Sequence, residues 1–186
     1  HLGNLMKIEK IHHVAYRCRD AKQTVEWYGK YLNMDYQLAF AENHVPSTKA
    51  PDPYMHVFLD AGNGNVLAFF ELPTQPDMDR DRNTPDWVQH VAFQVATIEE
   101  VLEVREKLEA DGIDVIGVTD HTLFKSIYFF DPNGHRLEVT VPVDLPEVNR
   151  RLDDVKWDML NEWAETRRAP KHAEFMHDGT YSDEPE

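Results

Sequence analysis

Apolar and polar residues along this chain alternate over short runs, then recur at helical spacing, and the same order appears twice. Ile8 to Cys18 reads as a strand in which Val14, Tyr16 and Cys18 share one face and His13, Ala15 and Arg17 the other. Asp20 is placed as an N-cap, and Val25, Tyr28 and Leu32 line one stripe of a helix over Ala21 to Leu32. Tyr36 to Ala41, Tyr54 to Asp60 and Asn65 to Leu72 read as strands. A polar, proline-containing loop, Glu42 to Pro53, separates the first two, and the turn Ala61 to Gly64 separates the last two. Prolines and charges crowd Pro73 to Trp87, which reads as a linker.

The second half repeats this order. Val88 to Val95 predicts a strand, Ile98 to Ala110 a helix closed by Asp111-Gly112, and Ile113 to Val118 a short strand. Thr119 to Lys125 reads as a loop. A hairpin follows: Ser126 to Phe130, the turn Asp131-Pro132-Asn133-Gly134, and Arg136 to Val141, with Leu137, Val139 and Val141 on one face and Glu138 and Thr140 on the other. His13-Val14-Ala15-Tyr16 matches His90-Val91-Ala92-Phe93, so the chain carries an internal repeat of βαβββ type. The fold class is therefore α+β: one domain over 6–145, divided into module one (6–72), the linker (73–87) and module two (88–145). Neither module can bury its sheet alone, so the two are expected to pair.

Leu145 to Arg168 departs from the repeat. Val148, Leu152, Val155, Met159 and Trp163 recur every three to four residues, which predicts an amphipathic helix packed on the domain or on a second copy in a homodimer. Pro146 suits its first turn and Pro170 marks its end. The tail from Lys171 to Glu186 is polar and expected to be mobile, with Phe175 and Met176 able to dock. His1 to Leu5 reads as an appended remnant, with Met6 the expected natural start.

Composition narrows the function classes. The chain has 186 residues, 41% hydrophobic, with a formal charge of −15. That charge argues against a nucleic-acid groove or an anionic membrane surface as partner. No apolar run approaches the ~20 residues of a membrane span. Cys18 is the sole cysteine, so no intrachain disulfide forms, and a reducing, cytoplasmic setting is expected.

Three residues stand out against that background. His13 and His90 occupy corresponding places in the first strand of each half, and Glu138 is a carboxylate between apolar neighbours on the last strand. Two imidazoles and one carboxylate, with positions left open, suit a divalent metal that also binds a substrate. Each residue taken alone reads as a satisfied histidine or a surface glutamate; their symmetric spacing makes the joint reading.

These motifs, His13 to Asp20, Gln89 to Phe93, and Asp131-Pro132-Asn133-Gly134 followed by Glu138, resemble the vicinal oxygen chelate superfamily. It includes glyoxalase I, methylmalonyl-CoA epimerase, fosfomycin resistance proteins and extradiol ring-cleavage dioxygenases. The resemblance covers roughly Lys7 to Val143. It implies paired modules forming a curved, cup-shaped mixed sheet, with His13, His90 and Glu138 as ligands of a metal inside. Glyoxalase- and epimerase-like members add a fourth ligand on the last strand of half one, where Glu71 is the candidate. Aligning Gly64 with Gly134, however, sets Ala68 on Glu138 and turns Glu71 to the other face, so three protein ligands are expected. Extradiol dioxygenases are also similar in placing a histidine and a tyrosine near the metal. His121 would then serve as acid/base and Tyr128 would bond a substrate oxygen.

The resemblance thus implies an Fe(II) extradiol-type dioxygenase acting with O2 on a small catecholic or related aromatic substrate. The alternative it allows is a glyoxalase-, epimerase- or isomerase-type enzyme using Mn, Zn, Ni or Co. A third possibility is a non-catalytic binding module. His56 lies on a strand, where a structural or solvated role is expected, and His12, His44, His135, His172 and His177 are assigned no function. Phe69, Phe70, Phe93 and Phe129 are expected in the core.

Overall fold

The structure, a computed structural model, describes residues 5–177. The far end of the predicted tail and most of the N-terminal remnant lie outside the described residues. Module one runs β1 (Val14–Cys18), α1 (Ala21–Leu32), β2 (Tyr36–His44), β3 (Pro51–Asp60) and β4 (Val66–Glu71). Module two runs β5 (His90–Gln94), α2 (Ile98–Ala110), β6 (Ile116–Asp120), β7 (Phe124–Phe130) and β8 (Arg136–Pro142).

The strands form two separate four-stranded sheets, β1-β4-β3-β2 and β5-β8-β7-β6, and neither is closed or strongly curled. This corrects the expected cup. β1 hydrogen-bonds only to β4 and β5 only to β8, so each sheet ends at its parallel edge strand and backbone pairing stops between the modules. Side chains take over there. Tyr28 donates to Asp131 Oδ2 at 2.8 Å, the Arg19 amide donates to Asn133 Oδ1 at 2.8 Å, and Tyr31 donates to Asp111 at 2.6 Å. Packed between helices and sheets is a common core that includes Tyr28, Leu59, Phe69, Leu108, Ile127, Phe129 and Leu137. Phe69 and Phe129 are core residues and Phe93 packs against them, but Phe70 points to the opposite side.

Local chemistry accounts for most element ends. The Asp20 side chain accepts from the Gln23 amide at 2.8 Å and starts α1. Thr97 does the same for α2 through Glu100. β1 begins at Val14 rather than Ile8, because 8–13 has no strand partner and Ile8 and Ile11 stay exposed. The loop predicted over 42–53 shrinks: pairing of β2 with β3 extends through Glu42↔Tyr54 to His44↔Pro51, past a register shift that spares Pro53 a ladder bond.

A long helix, α3 (Pro146–Thr166), follows module two. Val148 in its first turn is buried and Leu152, Val155 and Met159 are half-buried, whereas Trp157, Leu160 and Trp163 are exposed. A short 3₁₀ segment, Lys171–His177, folds back on it, with the Arg151 guanidinium 3.8 Å over the Phe175 ring. Among the described residues, no helix is long and apolar enough to cross a membrane.

Candidate metal centre

The open face of the second sheet brings together most of the chemistry. Ala92, Glu138 and Tyr128 are direct cross-strand partners on β5, β8 and β7, so their side chains share a face. His90 lies two residues before Ala92 on the same face, and the small Ala92 leaves room for a diagonal contact. His90 Nε2 lies 3.0 Å from Glu138 Oε1, and the glutamate is 3% exposed. The other ring nitrogen, Nδ1, is 3.0 Å from the Val88 carbonyl. A carbonyl only accepts, so Nδ1 carries a proton, and Nε2 faces a carboxylate oxygen that also only accepts. A close contact there needs a proton on Nε2 or a cation between the two. Ligands ~2.1 Å from a metal and at right angles lie about 3.0 Å apart, so the spacing fits a divalent cation held by both groups. An orienting bond on the distal nitrogen is the usual arrangement for a ligating histidine.

Three further residues shape this pair. Ser126, fully buried on β7, sits with Oγ 2.5 Å from Glu138 Oε2 and 2.8 Å from Thr140 Oγ1. It fixes the carboxylate. Ser126 went unnoticed in the sequence, although alternation from Tyr128 places it on this face. β6 passes close above it: a Cβ on Gly117 would lie 2.6 Å from the Ser126 carbonyl, and φ there is +100°, so only glycine serves. Tyr128 Oη is 2.5 Å from His121 Nε2. Burial, then the adjacent Glu138 charge, pushes the Tyr128 phenol up from its ordinary value of 10.0. The Arg136 guanidinium stacks 4.1 Å over the Tyr128 ring. Beside His90 a cavity of about 790 Å³ opens between Asp79–Asp86 of the linker and Tyr16, His135 and Arg136.

His13 is placed elsewhere. It is exposed just ahead of β1, on the open face of the first sheet. Its Nδ1 is 2.9 Å from that of His12, and its ring lies 6.0 Å from His56 and 5.6 Å from Phe58. Among the described residues, no three histidine, cysteine or acidic side chains gather around one point. Glu71 faces the helix layer, where its Oε1 accepts from the Ala21 amide at 2.6 Å and joins Asp20 in capping α1. The register sets Ala68 opposite Ala15 as it sets Glu138 opposite Ala92. One chain therefore assembles His90, Glu138, Tyr128 and His121 and leaves His13 and Glu71 apart.

Comparison with known proteins adds an independent line. Residues 10–139 match the family model described as Glyoxalase/Bleomycin resistance protein/Dioxygenase superfamily. Over 120 residues the chain is 29% identical to MhqA of Bacillus subtilis, named as a ring-cleaving dioxygenase; the match covers 64% of this chain and 38% of MhqA's own length. Over 103 residues it is 36% identical to the metallothiol transferase FosB of Shouchella clausii, covering 49% of this chain and 69% of that protein. Among solved structures, a glyoxalase family protein from Enterococcus faecalis superposes with a TM-score of 0.53 at 28% identity, covering 73% of this chain and 99% of that one. The fosfomycin resistance protein FosX of Listeria monocytogenes, solved with Mn(II) and sulfate, gives 0.54 at 20% identity, covering 74% and 95%. The FosX likeness is one of fold.

Proposed function

The chain belongs to the Glyoxalase/Bleomycin resistance protein/Dioxygenase superfamily, and on that premise we propose a divalent-metal enzyme of glyoxalase, epimerase or isomerase type acting on a small molecule with adjacent oxygens. The observation that carries the reading is the His90–Glu138 pair, a ring nitrogen and a carboxylate oxygen 3.0 Å apart with His90 Nδ1 committed to Val88. His90 and Glu138 would hold the metal. Its third protein ligand is His13 of a second copy, because within one chain His13 stands on the other sheet's open face. Both open faces carry exposed apolar side chains, Leu38 and Phe40 on one and Ile116 and Phe130 on the other, which suits them to cover one another in a homodimer. The Mn(II) found with FosX favours Mn(II), with Zn, Ni or Co as alternatives.

A metal bound there supplies Lewis acidity, polarising a substrate oxygen and lowering the pKa of an adjacent proton. The chain's own residues do the rest. Ser126 keeps the Glu138 carboxylate from rotating. Tyr128, protonated at neutral pH, donates a hydrogen bond to a substrate oxygen or to His121 Nε2, and His121 is the candidate acid/base.

One observation favours a second reading. The pairing of a histidine with a tyrosine beside the ligands, together with the likeness to MhqA, also suits an Fe(II) extradiol-type dioxygenase consuming O2. A two-part assay separates them. Protein loaded in turn with Mn(II), Ni(II), Zn(II) and anaerobic Fe(II) is offered α-oxoaldehyde–thiol adducts, then catechols under O2. The proposal predicts metal-dependent isomerisation without O2 uptake; O2 uptake confined to Fe(II) would move the assignment to the dioxygenase. Mixing the His13→Ala and Glu138→Gln proteins tests the shared site, since a mixed dimer regains one intact set of three ligands and with it part of the activity.

A further inference from the structure

Two apolar surfaces away from the metal centre stay uncovered among the described residues. One is a stripe on α3. Trp157, Leu160 and Trp163 follow one another at helical spacing on one side of the helix, and Trp157 is 68% exposed. Past its first turn α3 packs mainly on the segment Lys171–His177, which leaves these side chains bare. The other surface is the stretch ahead of β1. Met6, Ile8 and Ile11 are exposed there, Ile8 by 77%, and residues 6–11 pair with no strand. Uncovered apolar side chains gathered in one place mark a contact surface.

Charge decides what fits the stripe. Between 153 and 165, Lys156 stands alone against Asp153, Asp154, Asp158, Glu162 and Glu165. Asp158 and Glu165 lie on the flank next to Trp157 and have no ion partner among the described residues. A second α3 laid on the stripe would set these acids against one another. The stretch ahead of β1 has the opposite balance, Lys7 and Lys10 against Glu9. Neither lysine has an ion partner among the described residues. Both surfaces are bare in the same chain, so a chain does not cover its own α3 with this stretch.

We infer that residues 6–11 of a second copy cover the Trp157–Leu160–Trp163 stripe of α3, with Met6, Ile8 and Ile11 on the indoles and Lys7 and Lys10 among the acids of the helix. The route rests on the shared metal site proposed above. There His13 of one copy stands beside Glu138 of the other, which carries residues 6–11 onto the module from which α3 departs. The stretch from His13 back to Met6 reaches about 23 Å when extended. Trp157 lies about 17 Å along α3 from Pro146, a length the stretch can span. Tryptophan anchors at the centre with charges at the rim are the usual make-up of a specific protein interface.

The test uses full-length protein in a Cys18→Ala background. Ile8→Cys and Leu160→Cys chains are made separately, mixed, and treated with a short bis-maleimide. The expected result is a crosslinked dimer in the mixture and little in either protein alone, with the yield cut at least threefold by Lys7→Glu with Lys10→Glu. Equal crosslinking of the Leu160→Cys protein alone means that α3 meets α3 and overturns the inference. So does a chain carrying both cysteines that closes only on itself and runs as a monomer, and so does the absence of any crosslink in variants with wild-type circular dichroism. A yield undiminished by the two glutamates overturns the charge match. Removal of residues 1–11, which keeps His13, gives a second readout free of cysteines: tryptophan emission should shift to the red, and unchanged emission overturns the inference. Crosslinking without Mn(II) binding overturns the metal reading and leaves the α3 contact standing; Mn(II) binding that depends on His13 without crosslinking does the reverse.

Discussion

The Tyr128 hydroxyl lies 2.5 Å from His121 Nε2, and Tyr128 is at the same time the direct cross-strand neighbour of Glu138. A proton donor thus stands between a histidine and the carboxylate of the proposed centre. Burial and the Glu138 charge hold the phenol's pKa above its ordinary 10.0, so it keeps its proton throughout the neutral range. Tyr128→Phe should lower turnover by about 10²-fold while leaving Mn(II) affinity unchanged. Steady-state kinetics beside calorimetry checks this; an equal loss in both would make Tyr128 a scaffold for the ligands.

Ser126 is predicted to act through Glu138 alone. With Oγ 2.5 Å from Oε2, its removal frees the carboxylate to rotate. Ser126→Ala should weaken metal binding by about 10- to 100-fold, the usual effect of losing a ligand's orienting partner. The protein should stay folded, because alanine fits the buried position. Competition with a chelator of known affinity measures the change.

Glu71 is predicted to matter for stability and not for metal. Its carboxylate accepts from the Ala21 amide at 2.6 Å, at the positive end of α1. Glu71→Gln keeps an accepting oxygen but loses the charge, and should cost about 0.3–1 kcal/mol, read from urea midpoints, with metal stoichiometry intact. Loss of the metal with the fold preserved would restore Glu71 as a ligand.

Alkaline pH should destabilise the chain through Cys18. Burial, offset in part by a bond to Thr24 and reinforced by Glu71, pushes the thiol from 9.0 to about 11. The folded state then holds a proton that the unfolded chain releases, so stability is full below pH 9 and falls as pH rises toward 11. The loss from this group is on the order of 2 kcal/mol. Urea midpoints at pH 8 and pH 10.5 measure it, and Cys18→Ala should flatten the difference. Tyr28, raised by burial and by Asp131, adds a fall of the same sign from pH 10 upward.

Much of the topology is legible in the sequence because each module repeats a local pattern. The alternation that sets Leu137 and Val139 against Glu138 and Thr140 is the alternation of core and open face in β8. Counting forward from Gly64 and Gly134 reproduces the observed correspondence of Ala68 with Glu138. The arrangement of the two sheets is not legible. Alternation tells which way a side chain points and not whether β1 and β5 have neighbours beyond β4 and β8, so the cup had no local signal to exclude it. For the same reason the sequence joins His13 to His90 by symmetry, although the chain keeps them on different sheets. Ser126 reads as an ordinary strand residue, because the carboxylate beside it depends on contacts between strands.

The central claim is that His90 and Glu138 hold a divalent metal, with His13 supplied by a second copy. Equilibrium binding of Mn(II), followed by loss of the free-ion electron paramagnetic signal, tests it most directly. The account predicts one ion per chain for the wild type, and at least a hundredfold weaker binding for each of His13→Ala, His90→Ala and Glu138→Gln. Undiminished binding in Glu138→Gln and His90→Ala, both still folded, would contradict it.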